Sequence, residues 1–258
     1  AGGTSAGGGH VNICAHRGFW NCADAGHAQN SIASLGLAQE FGFWGSEFDV
    51  HLTADSVVVV NHDPAIGGMP IHRSTYQELL KAKLPNGESI PTLDEYLRKG
   101  AEGPGTMLVL ELKPQDNRKA AARMAEKTVD LLKKHGLWNP SRVMFISFDY
   151  EACKWVAQNA PGFTNQYLEG NVEPEKLHAD GINGIDYHFT AFHRHPDWVE
   201  RAHKLGMSVN VWTVDTQNEM RYLIGLGVDC ITTNEPALCR KVLGKSELRK
   251  TRKSREIK

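Results

Sequence analysis

The stretch GSEFDVHLTADSVVVVNHD, residues 45 to 63, holds two carboxylates, Glu47 and Asp49, separated by one apolar residue, and ends on His62 and Asp63. Three other short motifs add an imidazole, a further carboxylate, two cations and an indole: His16 and Arg17 in AHRG, Glu111 and Lys113 in LELK, and Trp212 in VWTV. Three carboxylates brought to one point cannot all stay ionised unless a cation offsets their repulsion. All-oxygen ligation suits one divalent cation, Ca2+ or Mg2+, better than Zn2+. Two imidazoles beside such a cation can divide acid–base work, one taking a proton from a nucleophile and the other giving one to a leaving alkoxide. Arg17 and Lys113 would neutralise the non-bridging oxygens of an anion, and a small-molecule phosphodiester fits that combination.

For this chemistry the motifs must meet, and the order of elements says how. Short β-branched runs alternate with helical patterns of about ten to fifteen residues, the signature of βαβ units and a parallel sheet. The strand candidates are VNICAHRG, GSEFDVH, SVVVVNHD, TMLVLELKP, RVMFISFD, FTNQYLE, GINGIDYHF, SVNVWTV and DCITTNEP. Helical stretches such as SIASLGLAQEFG, TLDEYLRKG and RKAAARMAEKTVDLLKKHG lie between them, several closing on Gly. Nine strands are one too many for a (β/α)8 TIM barrel. Only LTADS separates the second strand from the valine run, and a parallel crossover needs a dozen or more residues. Those two strands therefore form an antiparallel hairpin, with a turn near Ala54 and Asp55 and with Glu47 roughly opposite His62. Eight βα units remain, and the fold class expected is an α/β barrel. Its site lies at the C-terminal ends of the strands. These ends deliver His16, Arg17, Glu47, Asp49, Glu111, Lys113, Trp212 and Asn234, with His62 and Asp63 returned by the hairpin.

One barrel domain over residues 10–244 accounts for the length, with residues 63–91 inserted as a cap over the mouth, 1–9 as a flexible start and 245–258 as a frayed basic tail. The chain's 29 Lys and Arg nearly balance its 30 Asp and Glu, which excludes a global field for nucleic acid or membrane. No apolar run is long enough to span a bilayer. Five cysteines, an odd number, make no disulfide framework. Free thiols favour a reducing interior, while the Gly-rich start without Met reads as a processed export segment. On balance a periplasmic or extracytoplasmic setting is expected; the composition leaves the oligomeric state open.

The chain resembles the glycerophosphodiester phosphodiesterase family, a branch of the metal-dependent phosphodiesterase TIM barrels. The resemblance rests on AHRG at 15–18, QNS at 29–31, EFDVHLTADSVVVVNHD at 47–63, IPTLDEYL at 90–97, LELK at 110–113, SF at 147–148, VWTV at 211–214 and GVDCITTNEP at 227–236. It implies His16 and His62 as the acid–base pair and Glu47, Asp49 and Glu111 as metal ligands. It further implies Arg17 and Lys113 as phosphate-holding groups, Trp212 as a substrate wall and release of an alcohol with glycerol 3-phosphate. Three positions depart from the family pattern. Gln29 replaces a customary Glu, AIGGM follows His-Asp where Arg-Thr-Thr is usual, and Asn234 stands where Asp is common.

Other readings compete. A phospholipase C- or D-like enzyme would use a similar barrel, and a non-catalytic binder of glycerol-phosphate polymers would fit the altered positions. A Schiff-base aldolase would use Lys113. The histidines of HFTAFHRH, 188–195, invite a zinc site, but with no acidic or thiolate partner nearby they read as a loop and helix start.

Overall fold

In the computed structural model, which describes residues 10–103 and 105–256, all nine apolar runs are strands. In chain order the strands are β1 (Asn12–Ala15), β2 (Gly45–Leu52), β3 (Val58–Val60), β4 (Ala65–Ile66), β5 (Met69–Pro70) and β6 (Met107–Leu112). They continue as β7 (Val143–Ser147), β8 (Asn165–Tyr167), β9 (Gly184–His188), β10 (Ser208–Trp212) and β11 (Cys230–Thr233). The helices are α1 (Ile32–Glu40), α2 (Tyr76–Leu79), α3 (Leu93–Glu102), α4 (Arg118–Lys134), α5 (Tyr150–Asn159), α6 (Pro174–Ala179), α7 (Phe189–Arg194), α8 (Asp197–Lys204), α9 (Gln217–Leu226) and α10 (Pro236–Glu256).

Eight strands run parallel in the order β1, β11, β10, β9, β8, β7, β6, β2, and β1 pairs with β2 to close the ring. This is a (β/α)8 TIM barrel. β3 is the ninth strand, antiparallel to β2 as the five-residue connection requires. β2 divides its free edge in two. Gly45 and Ser46 pair with β1, and Val50 to Leu52, beyond the end of β1, pair with β3. The register sets Val50 against Val60, and the chain beyond β3 returns His62 to the cavity that Glu47 lines.

Alternation along the strands sorts the core. Phe48 and Val50 of β2 point outward beneath the helices, with Leu108, Leu110 and Leu112 of β6. Cys14, Val109, Met144, Ile146, Leu168 and Cys230 fill the barrel interior, with Met107 and Trp44 packed against them. Helix starts carry the expected caps: Ser31, Thr92, Asn117, Asp149 and Thr216 each accept a backbone N–H with the side chain. The TLDEYLRKG helix does not stop at its Gly. It runs on to Glu102, and a Cβ on Gly100 would come within 2.9 Å of Leu108, so this glycine permits close approach of α3 to the sheet.

The segment 63–91 has structure of its own. β4 and β5 form a hairpin across Gly67 and Gly68, both at positive φ, as a two-residue turn of this kind requires. Ile71, Leu79 and Ile90 pack on Val59 as a small separate core. The segment thus braces β3 from the side, and the described residues that line the mouth cavity lie outside 64–91. The basic stretch from residue 245 also differs from expectation, because α10 continues through it to Glu256. Residues 1–9 lie outside the described residues, so the flexible start is not addressed.

Phe48 sits between the two acids in sequence but faces α3, where its ring centroid lies 4.5 Å from that of Tyr96, both rings fully buried. Phe48→Ala is expected to lower unfolding free energy by about 3–5 kcal/mol. Urea denaturation measures this, and a loss below about 1 kcal/mol would contradict the packing described.

Candidate active site

The two-residue period of β2 and its parallel register with β6 place Asp49 beside Glu111, with Glu47 one step deeper on the same inward face. One oxygen from each of Glu47, Asp49 and Glu111 lies within 4.8 Å of the others, and all three residues are buried. Glu47 Oε1, Asp49 Oδ1 and Glu111 Oε1 lack hydrogen-bond donors. Lys113 Nζ is 3.1 Å from Glu111 Oε1 and 3.8 Å from Asp49 Oδ1, an ion pair outside hydrogen-bond geometry. Among the described residues this is the single cluster of three or more potential ligands. Three orphaned carboxylate oxygens converging in a dry site fit a hard divalent cation.

Without a cation the acids must share their charge unequally. Burial pushes Glu47 and Glu111 well above the usual carboxylate range, and the charge of Asp49 adds to this. Burial also pushes Asp49 upward, but hydrogen bonding from Glu111, the charge of Lys113 and the amide of Asn30 outweigh it and hold Asp49 low. For Lys113 burial acts downward, and Glu111 and Asp49 more than reverse it. A lysine held in its charged form is the opposite of what a Schiff-base nucleophile needs.

The turn after β1 feeds the same point. Arg17 has φ 58°, rare for a residue with a side chain, and its backbone N–H donates to Glu47 Oε2 at 3.0 Å. Asn30, at φ 55°, donates its backbone N–H to Arg17 O and its amide to Asp49 Oδ2, each at 3.0 Å. The Arg17 guanidinium donates to Gln29 Oε1 at 2.5 Å. A neutral amide thus occupies the position of the customary acid as the partner of the Arg17 guanidinium.

Hydrogen bonds fix the tautomers of both histidines. Asn234 donates its amide N–H to Asp215 Oδ2 at 3.0 Å, so its Oδ1 is the acceptor for Trp20 Nε1 at 2.9 Å and for His16 Nδ1 at 2.9 Å. His16 Nδ1 therefore carries the proton, and Nε2 is free, 3.8 Å from Glu47 Oε2. Burial, followed by the charge of Arg17, lowers the His16 pKa to about 4. His62 Nδ1 donates to Asp63 Oδ1 at 2.6 Å, leaving its Nε2 free as well. His51 Nε2 donates to the backbone oxygen of His62 at 3.1 Å and ties the end of the hairpin to β2.

These groups line one cavity of about 120 Å³, with His16, Arg17, Glu47, His62, Glu111, Lys113 and Trp212 in its wall. Asp49 lies behind the wall, fully buried. The Trp212 indole donates to Asp186 O at 2.8 Å and stands edge-on to Phe148 and His188, with centroids 5.7 and 5.0 Å away. Asp186 also reaches the cavity from β9. Burial alone pushes it well above the carboxylate range, and its Oδ1 has no partner. The sequence reading omitted Asp186, Asn30, Trp20 and Asp215. Asn30 lay within the QNS motif, and Asp186 had the inward parity of its strand as a signal. The histidines at 188–195 do not gather around a metal. His188 caps α7, His193 pairs with Glu219, and His195 stacks on Trp198 at 4.0 Å.

The glycerophosphoryl diester phosphodiesterase family profile matches residues 16–238. The chain belongs to that family. It is 30% identical over 223 residues to the glycerophosphodiester phosphodiesterase of Caldanaerobacter subterraneus subsp. tengcongensis, covering 81% of this chain and 89% of the relative. It superposes with a TM-score of 0.88 on a glycerophosphodiester phosphodiesterase of Parabacteroides distasonis, at 42% identity and covering 92% and 98% of the two chains. A phosphodiesterase of Oleispira antarctica, solved with the product sn-glycerol-3-phosphate, shares the fold at 24% identity and a TM-score of 0.76, covering 90% and 96%.

If the three acids hold a dication, adding Ca2+ or Mg2+ at about a hundredfold over Kd raises the melting temperature of the EDTA-treated protein by roughly 5–10 °C. Glu47→Gln removes one ligand carboxylate while its amide oxygen can still accept the Arg17 N–H, so its metal-free form is expected to melt no lower than the wild type and to gain nothing from the cation. A cation-induced shift that survives Glu47→Gln would contradict the ligand assignment.

Proposed function

We propose that this enzyme hydrolyses glycerophosphodiesters to glycerol 3-phosphate and an alcohol, with Ca2+ or Mg2+ held by Glu47, Asp49 and Glu111. The observation that carries the reading is the pair of imidazoles, His16 and His62, opening free Nε2 atoms on one cavity that also holds the acids, Arg17 and Lys113. Bound there, a dication supplies Lewis acidity at the phosphoryl oxygens. With a dication bound, three ionised carboxylates against it and the two cationic side chains would sum to one positive charge, matched to the single negative charge of a phosphodiester.

The protein's own groups then divide the work. Arg17, whose guanidinium bonds the neutral Gln29, and Lys113, paired with Glu111, hold the non-bridging oxygens. His16, whose partner Asn234 is neutral, takes the proton from the attacking oxygen. His62, whose Nδ1 donates to Asp63 and whose pKa is lowered by burial and then by the charge of Lys113, is a stronger acid once protonated and gives its proton to the leaving alkoxide as the P–O bond breaks. Trp212 forms the wall against the glycerol or alcohol moiety.

Glycerol 3-phosphate release from glycerophosphocholine and glycerophosphoethanolamine, followed with and without EDTA and re-added cation, tests the assignment. The cation is expected to be required, and His16→Ala or His62→Ala is expected to lower kcat by about 10²–10⁴-fold. Activity untouched by EDTA, or kept by His16→Ala, would overturn it. Trp212→Ala is expected to raise KM several-fold with kcat within about twofold, and an unchanged KM would remove the wall.

A further inference from the structure

The basic stretch that composition marks as a tail is one continuous helix with the last barrel helix, and this gives it a direction. α10 starts beside the mouth, after β11, and runs back along the barrel. Arg240 lies over the ring of Phe43, 4.2 Å from its centroid, and Leu243 and Gly244 border a hollow shared with residues 10–13 and 42–44. Those residues precede and begin β1 and β2, so α10 reaches the rim opposite the mouth at about Gly244. The turns from 245 to 256 then carry the helix roughly 18 Å further, at about 1.5 Å per residue.

Charge and apolar surface are segregated at this end. Residues 245–258 hold seven of the chain's 29 Lys and Arg and two of its 30 Asp and Glu, so the rest of the chain is net negative. Lys241, Lys245, Arg249 and Arg252 follow one another at helical spacing along one stripe, and all are exposed. None of the four has a carboxylate within 4 Å among the described residues. Leu248 lies on the same stripe, three residues from Lys245 and four from Arg252, and is 63% exposed. Among the described residues, one other large apolar side chain is exposed: Phe41, at 45%, in the connection between α1 and β2. Its ring stacks on Phe43, with centroids 6.3 Å apart, and Phe43 carries Arg240. Both exposed apolar groups thus sit at the basic end of the molecule, away from the mouth.

We propose that this end docks on an anionic lipid bilayer, with the α10 stripe against the headgroups and Leu248 and Phe41 entering the interface. Cations attract the anionic surface, while aliphatic and aromatic side chains in their midst favour the boundary of lipid and water over a nucleic-acid backbone. The mouth, at the other end of α10, stays open to soluble substrate.

Sedimentation of the full chain with vesicles tests this, comparing phosphatidylcholine alone with an equimolar mixture of phosphatidylcholine and phosphatidylglycerol. Binding is expected to the mixed vesicles only and to weaken with added salt. The triple variant K245E/R249E/R252E is expected to lose about a hundredfold or more in partitioning, since each cation near such a surface contributes several-fold. Its melting temperature and its turnover of a soluble glycerophosphodiester should stay unchanged. Leu248→Ser should weaken vesicle binding and leave its salt dependence intact. A wild-type protein that stays in the supernatant with mixed vesicles would overturn the proposal. So would a triple variant that still binds them, or wild-type binding to single-stranded RNA that outcompetes the vesicles.

Discussion

Three buried carboxylates within reach of one point are the constraint around which this barrel is arranged. Their repulsion in a dry site is offset only in part by Lys113, and the backbone around them bends to supply donors. Arg17 and Asn30 adopt left-handed conformations that cost a side-chain-bearing residue about 1–3 kcal/mol each. Each spends that strain on a hydrogen bond to an acid, and the two are bonded to each other. Both imidazoles line the same cavity as Glu47 and Glu111, and His16 Nε2 lies 3.8 Å from Glu47 Oε2.

The alternation of β2 links this site to the fold. Glu47 and Asp49 point into the mouth because Phe48 and Val50 between and beyond them point outward into the helical layer. A slip of one residue would bury the acids against α3 and turn Phe48 and Val50 into the barrel. β3 and the segment behind it keep that register where β1 has ended, and their small core at Val59, Ile71, Leu79 and Ile90 serves the site from a distance by fixing where His62 emerges.

Much of this was legible in the residues. The βα count, the hairpin forced by LTADS and the strand-end parity assembled the eightfold barrel. They also named the side chains that the fold gathers in one cavity, with Asp49 directly behind it. What escaped has a common physical character. The Trp20, Asn234 and Asp215 network that sets the His16 tautomer joins residues some 200 positions apart, and only ring closure between β1 and β11 brings them together. The segment after His62 looked weakly periodic because its elements are two to four residues long and are held by a private core. The basic stretch looked like a frayed tail because a charged helix has no apolar stripe, yet it continues a helix already nucleated by packing on the barrel.

The most direct test of the central claim is an anomalous difference map from crystals soaked in Mn2+, a divalent stand-in. One peak is expected at the mouth, within about 2.6 Å of an oxygen from each of Glu47, Asp49 and Glu111. A peak elsewhere, with those carboxylates engaged only by Lys113, Arg17 and Asn30, would contradict the account.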